Sequence, residues 1–269
     1  MNIKEIKECL QNNITTEQLE VLQADRRSGV QKLLAAYYKH IDDEAKEAER
    51  FANMLVFEKK YWQQGIKYVA GCDEAGRGPL AGPLVVAAVI LPEGIFIRGL
   101  NDSKKLSAVK REKLYAEVYE KAISITVNVV GPKDIDELNI YQATKISMEK
   151  CLINLQPYPQ TALIDAMPEN ITGMTTESLI HGDARSASIA AASIIAKVTR
   201  DRIMIELDKE YPQYGFAGHK GYGSQSHMDA IAEFGPTKWH RRSYEPVKGL
   251  CIKQDIGEGV DENILTKLK

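Results

Sequence analysis

No run in the chain approaches the roughly 18 consecutive apolar residues that a membrane-spanning helix needs, so a membrane protein of that type is excluded. Cysteine is scarce: the four, at positions 9, 72, 151 and 251, form no CxxC pair. That argues against a disulfide framework or a cysteine zinc site and for free thiols in a reducing compartment. The five histidines show no HxxxH spacing. Neither sign of charge dominates. Thirty-five basic and 37 acidic side chains leave a net charge of −2, which rules out a polycation, so any nucleic-acid binding must come from local patches. Internal repeats and low-complexity tracts are absent, and Met1-Asn2-Ile3-Lys4-Glu5 lacks a signal-peptide core. What is left is a cytoplasmic globular protein, 44% hydrophobic over 269 residues, long enough to bury a sizeable core.

Proline is missing altogether from residues 1–66, and glycine appears there only as Gly29 and Gly65. Ile3, Ile6 and Leu10 fall at helical spacing, and Thr15 with Gln18 makes a capping box for a second short helix. A long amphipathic pattern then runs from Val30 through Leu33, Leu34, Ile41, Phe51, Leu55 and Tyr61. Residues 1–66 therefore read as a helical N-terminal extension. Its Arg26, Arg27, Lys32 and Lys39 suit either a phosphate backbone or a solvated helix face. Residues 67–249 read as an α/β domain, and 250–269 as a polar tail.

Within the α/β region one stretch stands out, Gly71-Cys72-Asp73-Glu74-Ala75-Gly76-Arg77-Gly78-Pro79. Apolar Tyr68-Val69-Ala70 enters it and Leu84–Leu91 leaves it, so two carboxylates sit where a buried strand breaks into a glycine turn. Adjacent strand residues face opposite ways, so Asp73 and Glu74 can share an ion only if the strand ends there. Paired carboxylates suit a hard cation such as Mg²⁺, though a capped turn with solvated acids fits the same residues.

Pro92-Glu93-Gly94 turns the chain, and a third short strand is expected over 95–100. Asn101-Asp102-Ser103-Lys104-Lys105 reads as a basic entry to an exposed helix over 107–122, or as a phosphate contact. A strand over 123–130 and one helix over 134–155 follow. Thr161–Asp165 is a buried strand ending in a carboxylate, which is costly unless paired, hydrogen-bonded or bound to a metal. A short strand over 178–181 leads through Asp183, a helix cap or a further acid of the site, into a helix over 188–211. Ala190, Ala191, Ala192, Ser193 and Ala196 make that helix thin enough to lie close to a sheet, while Lys197, Arg200 and Arg202 read as a solvated face with Asp201 as their partner. A glycine-rich loop carries Tyr214, Phe216, His219, Lys220 and Tyr222; its aromatics can anchor it or stack on a nucleotide. A helix over 226–234 and the basic segment Pro236–Arg242, which could meet nucleic acid, complete the domain.

Taken in order, these blocks resemble the type 2 ribonuclease H family, in its ribonuclease HII form. The blocks are the Gly71–Pro83 turn, Asn101–Leu106, Leu163–Ala166, Gly182–Lys197 and His219–Gly223, and the resemblance covers about residues 67–249. It implies a ribonuclease H-like mixed sheet flanked by helices. It also implies an endonuclease that cuts on the 5′ side of ribonucleotides, in RNA/DNA hybrids and where one is embedded in duplex DNA, initiating ribonucleotide removal. Asp73, Glu74, Asp165 and Asp183 would hold two Mg²⁺ or Mn²⁺ ions. Gly76, Arg77 and Gly78 would read the ribose 2′-hydroxyl, Ser103 and Lys104 would contact phosphate, and Tyr222 would stack at the RNA–DNA junction. A monomer is expected. Gly-Arg-Gly is the HII form of the turn; the sister ribonuclease HIII, which prefers hybrid runs, carries Gly-Lys-Gly. A non-catalytic nucleic-acid-binding module and a phosphate-cradling nucleotide binder are the other classes, and the intact carboxylate set and the absence of Gly-Lys-Ser/Thr after Gly76 argue against them.

Overall fold

A computed structural model describes residues 1–12, 14–168 and 170–251. Two compact units divide the chain, Met1–Ala52 and Asn53–Lys269. In the first, α1 (Ile3–Gln11) and α2 (Thr16–Ala24) each start with a capping box, Asn2 with Glu5 and Thr15 with Gln18. Ile6, Leu22, Val30 and Leu34 form its buried core. The long helix α3 (Ser28–Met54) breaks at Leu55, and α4 (Val56–Trp62) follows. The segment after Ala52 therefore packs in the second unit: Tyr61, flanked by Phe57 and Trp62, meets Val69, Leu163, Leu179 and Ile189.

Among the described residues one five-stranded mixed sheet forms the second unit's frame, in the order β3-β2-β1-β4-β5. Its strands are β1 (Val69–Ala75), β2 (Leu84–Ile90), β3 (Ser124–Val130), β4 (Thr161–Asp165) and β5 (Thr175–Leu179). The first three make an antiparallel meander; β4 and β5 add to β1 in parallel. β2 is buried on both faces, which its unbroken apolar run anticipates. Alternation splits the central strands. Ala70, Cys72 and Ile164 face a core with Met148, Cys151 and Leu152, while Val69 and Leu163 face Ile189.

Helix α5 (Ala108–Lys121) follows the basic loop, and α6 (Pro132–Leu138) and α7 (Ile140–Ile153) follow β3. The single helix expected over 134–155 is thus two, broken at Asn139, whose φ of 63° is incompatible with an α-helix and whose side chain caps α7. The expected strand over 95–100 is an irregular stretch ending in a turn at 98–99, in which Ile97 and Leu100 are buried without a ladder. The strand expected over 178–181 begins earlier and ends at Leu179, because His181 adopts a left-handed conformation and starts a 3-10 turn.

Helix α8 (Ala187–Glu210) lies directly on β1. A Cβ placed on Gly71 would sit 2.0 Å from the Ser188 carbonyl carbon, so only glycine admits the helix there. The loop beyond it contains a short helix, α9 (Phe216–His219), then α10 (Gln225–Phe234) and α11 (Val247–Cys251). Most of the tail expected at 250–269 lies outside the described residues. No helix among them is long and apolar enough to cross a membrane.

Candidate active site

The parallel register of the two central strands builds the site. Gly71 lies beside Leu163 and Cys72 beside Ile164, so the next residue on each strand is an acid, Asp73 and Asp165. Both share the face covered by α8, since residues two apart on a strand point the same way. Asp183 reaches them from the 3-10 turn before α8. One ligand oxygen from each of these three acids lies within 4.8 Å of the others. Glu74 is outside that trio. The strand does not end at Asp73 but runs to Ala75, and the Glu74 carboxylate lies 3.8 Å from the Arg77 guanidinium, still within reach of the charges of Asp165 and Asp183.

The surroundings fix each acid. The Glu74 N–H donates to Asp73 Oδ1 at 2.7 Å, and Ser193 of α8 donates its hydroxyl to the same carboxylate. The Gly182 N–H donates to Asp165 Oδ1 at 2.6 Å. Burial, and then the charges of Glu74 and Asp165, push the Asp73 carboxyl well above its ordinary range. Burial also raises Glu74, against the pull of Arg77. Asp183 is raised by burial and by the neighbouring Asp102 and Asp165. Lys104 Nζ stands 3.5 Å from Asp183 Oδ2; burial disfavours its charge, but Asp183 and Asp73 hold its pKa above the usual lysine value. Ser103 is not at the surface: its hydroxyl is buried 2.9 Å from that of Ser193, one step behind Asp73.

These acids fit a hard divalent cation. They offer carboxylate oxygens only, they are crowded enough to retain protons without a counter-charge, and the one described cation ion-paired with the trio is the exposed Lys104.

The glycine turn beside them is clamped from below by two buried arginines that sequence reasoning assigned elsewhere. Arg241, in the segment expected to meet nucleic acid, is instead wholly buried. Its Nη1 donates to the Arg77 carbonyl at 2.8 Å, and its Nη2 to those of Gly76 at 2.5 Å and Gly82 at 3.0 Å. Arg200, expected on a solvated face, is also buried and donates to the carbonyls of Pro83, Ala81 and Lys220. Gly76 has φ +100°, and a Cβ there would lie 2.1 Å from Arg200 Nε, so this position admits only glycine. Across a trans peptide the carbonyl and the following N–H point in opposite directions. Drawing the Gly76 and Arg77 carbonyls inward therefore aims the N–H groups of Arg77 and Gly78 outward. Neither N–H has an acceptor among the described residues. The other residues read as a solvated face pair locally, Lys197 with Asp201 at 2.6 Å and Arg202 with Glu112 at 2.6 Å.

Tyr222 stands at the rim of this turn. Its side chain is 49% exposed, and a Cβ on Gly78 would lie 3.8 Å from its ring. Tyr214 and Phe216, by contrast, are buried and stacked, with ring centroids 5.4 Å apart, and anchor the loop.

Known proteins resemble this chain over nearly its whole length. Residues 70–247 match the family model described as ribonuclease HII, and residues 2–62 match that of the ribonuclease HII N-terminal domain. A ribonuclease HII of Bacillus cereus (strain AH820) is 50% identical over 255 residues, which is 94% of this chain and 99% of that protein. The crystal structure of ribonuclease H2 from Pyrococcus horikoshii OT3 superposes with a TM-score of 0.60 at 30% identity, covering 68% of this chain and 96% of that one. Archaeoglobus fulgidus RNase HII, solved in complex with PCNA, gives a TM-score of 0.55 at 27% identity, covering 73% and 99%. The mixed sheet with its flanking helices is thus the ribonuclease H-like fold.

Proposed function

The chain belongs to the ribonuclease HII family of ribonuclease H endonucleases, and from that premise we propose that it hydrolyses the phosphodiester on the 5′ side of a ribonucleotide. Its substrates are RNA/DNA hybrids and duplex DNA with a single embedded ribonucleotide, and the cut initiates ribonucleotide removal in the cytoplasm. The observation that carries this reading is the convergence of Asp73, Asp165 and Asp183 at a strand end that leads into a turn whose Gly76 and Arg77 carbonyls are drawn inward and whose Gly78 lies against Tyr222.

Asp73, Asp165 and Asp183 would hold Mg²⁺ or Mn²⁺, with Glu74 completing the set beside a second ion. Such ions supply Lewis-acid stabilisation of the negative charge that builds on the phosphoryl oxygens. The rest falls to the chain's own groups. The Arg77 and Gly78 N–H groups donate to the ribose 2′-hydroxyl, which a deoxyribose lacks, so they separate RNA from DNA at the cut. Lys104, exposed at the rim, neutralises a substrate phosphate. Ser103 acts from behind, through Ser193, and keeps Asp73 in place. The Tyr222 ring stacks on the sugar of the following deoxynucleotide and so reads the junction. In the reaction a water oxygen bonds to phosphorus, the bond from phosphorus to the 3′ oxygen breaks, and that oxygen takes a proton. The products are a 3′-hydroxyl and a 5′-phosphate on the ribonucleotide. Every group named comes from one chain, consistent with a monomer.

The test is cleavage of a labelled DNA duplex carrying one ribonucleotide, beside an all-DNA duplex and an RNA/DNA hybrid, with Mg²⁺, Mn²⁺ or EDTA. A metal-dependent cut 5′ to the single ribonucleotide is expected, lost in Asp73→Asn while duplex binding persists. Cutting confined to the hybrid would favour a ribonuclease HIII-like preference instead. Parental activity in Asp73→Asn would remove the metal assignment.

A further inference from the structure

Tyr222 combines an exposed ring with a main chain held at every polar atom. Its N–H donates to the His219 carbonyl at 3.0 Å, and its carbonyl accepts from the Ser224 N–H at 2.8 Å. The same carbonyl lies 2.9 Å from His227 Nδ1, and the preceding N–H, that of Gly221, donates to His219 Nδ1 at 3.1 Å. His227 continues inward: its Nε2 is 3.1 Å from Nε2 of His240, and both rings are buried.

The partners determine every proton in this chain. The Thr237 N–H donates to His240 Nδ1 at 2.9 Å, so that nitrogen is bare and the His240 proton is on Nε2. The Tyr222 carbonyl can only accept, so His227 carries its proton on Nδ1. His227 Nε2 is then bare and accepts from His240. A single arrangement satisfies all three contacts, and it needs both rings neutral. Burial, the largest influence on each, drives His227 to about 4 and His240 to about 3. The neutral pair, with His227 Nε2 free to accept from His240, is therefore present throughout the neutral range. His219, stacked on His227 at 4.4 Å, closes the cluster from the other side.

We propose that His227, oriented by His240, is a positioning residue that holds Tyr222 in the geometry that recognises the junction between a ribonucleotide and a deoxynucleotide. This rests on the reading of Tyr222 given above. A ring on a free loop would pay for its ordering out of binding energy; a ring whose main chain is already fixed does not. A merely structural histidine would affect all substrates alike, whereas a positioning one acts through Tyr222 and alters the preference for the junction.

The experiment compares kcat/KM on the single-ribonucleotide duplex with that on an RNA/DNA hybrid, for the full chain and its variants. Binding of the same duplexes in EDTA, followed by anisotropy, is a readout independent of turnover. By analogy with aromatic stacking on nucleotides, loss of the ring-on-sugar contact in Tyr222→Ala is expected to lower the ratio on the order of tenfold. His227→Leu is expected to lower it in the same direction, through KM for the junction duplex. His227→Asn, whose amide N–H replaces the Nδ1 donor, should restore most of it. In a Tyr222→Ala background His227→Leu should add nothing further. A parental ratio in folded His227→Leu, alongside a reduced ratio in Tyr222→Ala, overturns the proposal and leaves the reading of Tyr222 intact. A parental ratio in Tyr222→Ala overturns that reading and the proposal with it. Independent, additive losses in the double variant also overturn it. Should His227→Leu not fold, His240→Gln, which keeps an N–H toward His227, is expected to hold the ratio where His240→Leu lowers it; equal ratios in these two would refute the relay.

Discussion

Arg241→Lys keeps one positive charge beneath the glycine turn but removes the planar fork. The guanidinium reaches three carbonyls, those of Gly76, Arg77 and Gly82, and the Tyr244 hydroxyl as well. An ammonium group on a flexible stem cannot span that set. At least one carbonyl loses a charge-assisted bond in a place that water does not reach, and each such loss costs about 1–3 kcal/mol. With Tyr244 still donating to the Arg77 carbonyl at 2.7 Å, the Gly76 and Gly82 carbonyls are the ones exposed to loss. The expected destabilisation is about 2–4 kcal/mol, readable as a lower urea midpoint at unchanged slope. The functional effect should be larger than a stability loss alone produces. Once the Gly76–Arg77 peptide is free to rotate, its N–H no longer faces the substrate, and misplacement by an ångström can cost about a hundredfold in rate. The assay is kcat/KM on the single-ribonucleotide duplex, at a temperature where both proteins are fully folded. A loss of at least tenfold is expected, on the order of 1.4 kcal/mol. A folded Arg241→Lys with parental kcat/KM would show that the carbonyl clamp has no part in presenting the turn.

Two other perturbations test the scaffold. Glu58 is buried, and its Oε1 accepts from Ser186 Oγ at 2.6 Å and from the Ser188 N–H at 2.9 Å, capping α8 where it crosses Gly71. Glu58→Ala should cost about 2–4 kcal/mol by stranding both donors, and Glu58→Gln, which keeps an acceptor, less than half of that; equal losses in urea titrations would refute the capping role. His227 and His240 have folded pKa values depressed to about 4 and about 3, so they add stability above the unfolded value of about 6.5 that is lost as pH falls through that window. The pair should steepen the loss of stability between about pH 6.5 and 4; because the raised carboxyls run the opposite way, the check is whether His227→Gln/His240→Gln flattens the acid limb, and an unchanged limb would refute neutral burial.

How much of this was legible in the sequence depends on what each residue binds. Asp73 and Asp165 could be read because each follows directly on a buried apolar run, where an acid is costly unless paired, hydrogen-bonded or bound to a metal, although only Asp165 ends its strand. The capping box at Thr15 is local, and it formed as its spacing predicts. Asn139 divides α6 from α7 by a backbone angle that no apolar periodicity signals. The segment over 95–100 has the composition of a strand but found no neighbouring edge to pair with. Arg200, Arg241 and His227 were misread or left unassigned because most of their partners are backbone groups. A carbonyl is present at every position, so nothing in the sequence marks Gly76 or Pro83 as the acceptor of an arginine more than a hundred residues away.

That choice of partners bears on the chemistry. Arg200 and Arg241 donate to carbonyls and to a phenol, and neither is in ion-pair contact with a carboxylate among the described residues. Burial lowers the Arg200 pKa only to about 10, so the guanidinium stays charged at neutral pH. Acidic partners would have drawn these donors off the carbonyls and cancelled their charges. Bound to carbonyls, the two cations keep their field and sit beneath the surface to which a polyanion must come. On the other side of the turn Asp73, Asp165 and Asp183 form a concentration of negative charge that by itself repels the same polyanion. If the rim binds phosphate as proposed, the buried arginines add fixed positive charge beneath it without presenting a side chain that competes for the acids.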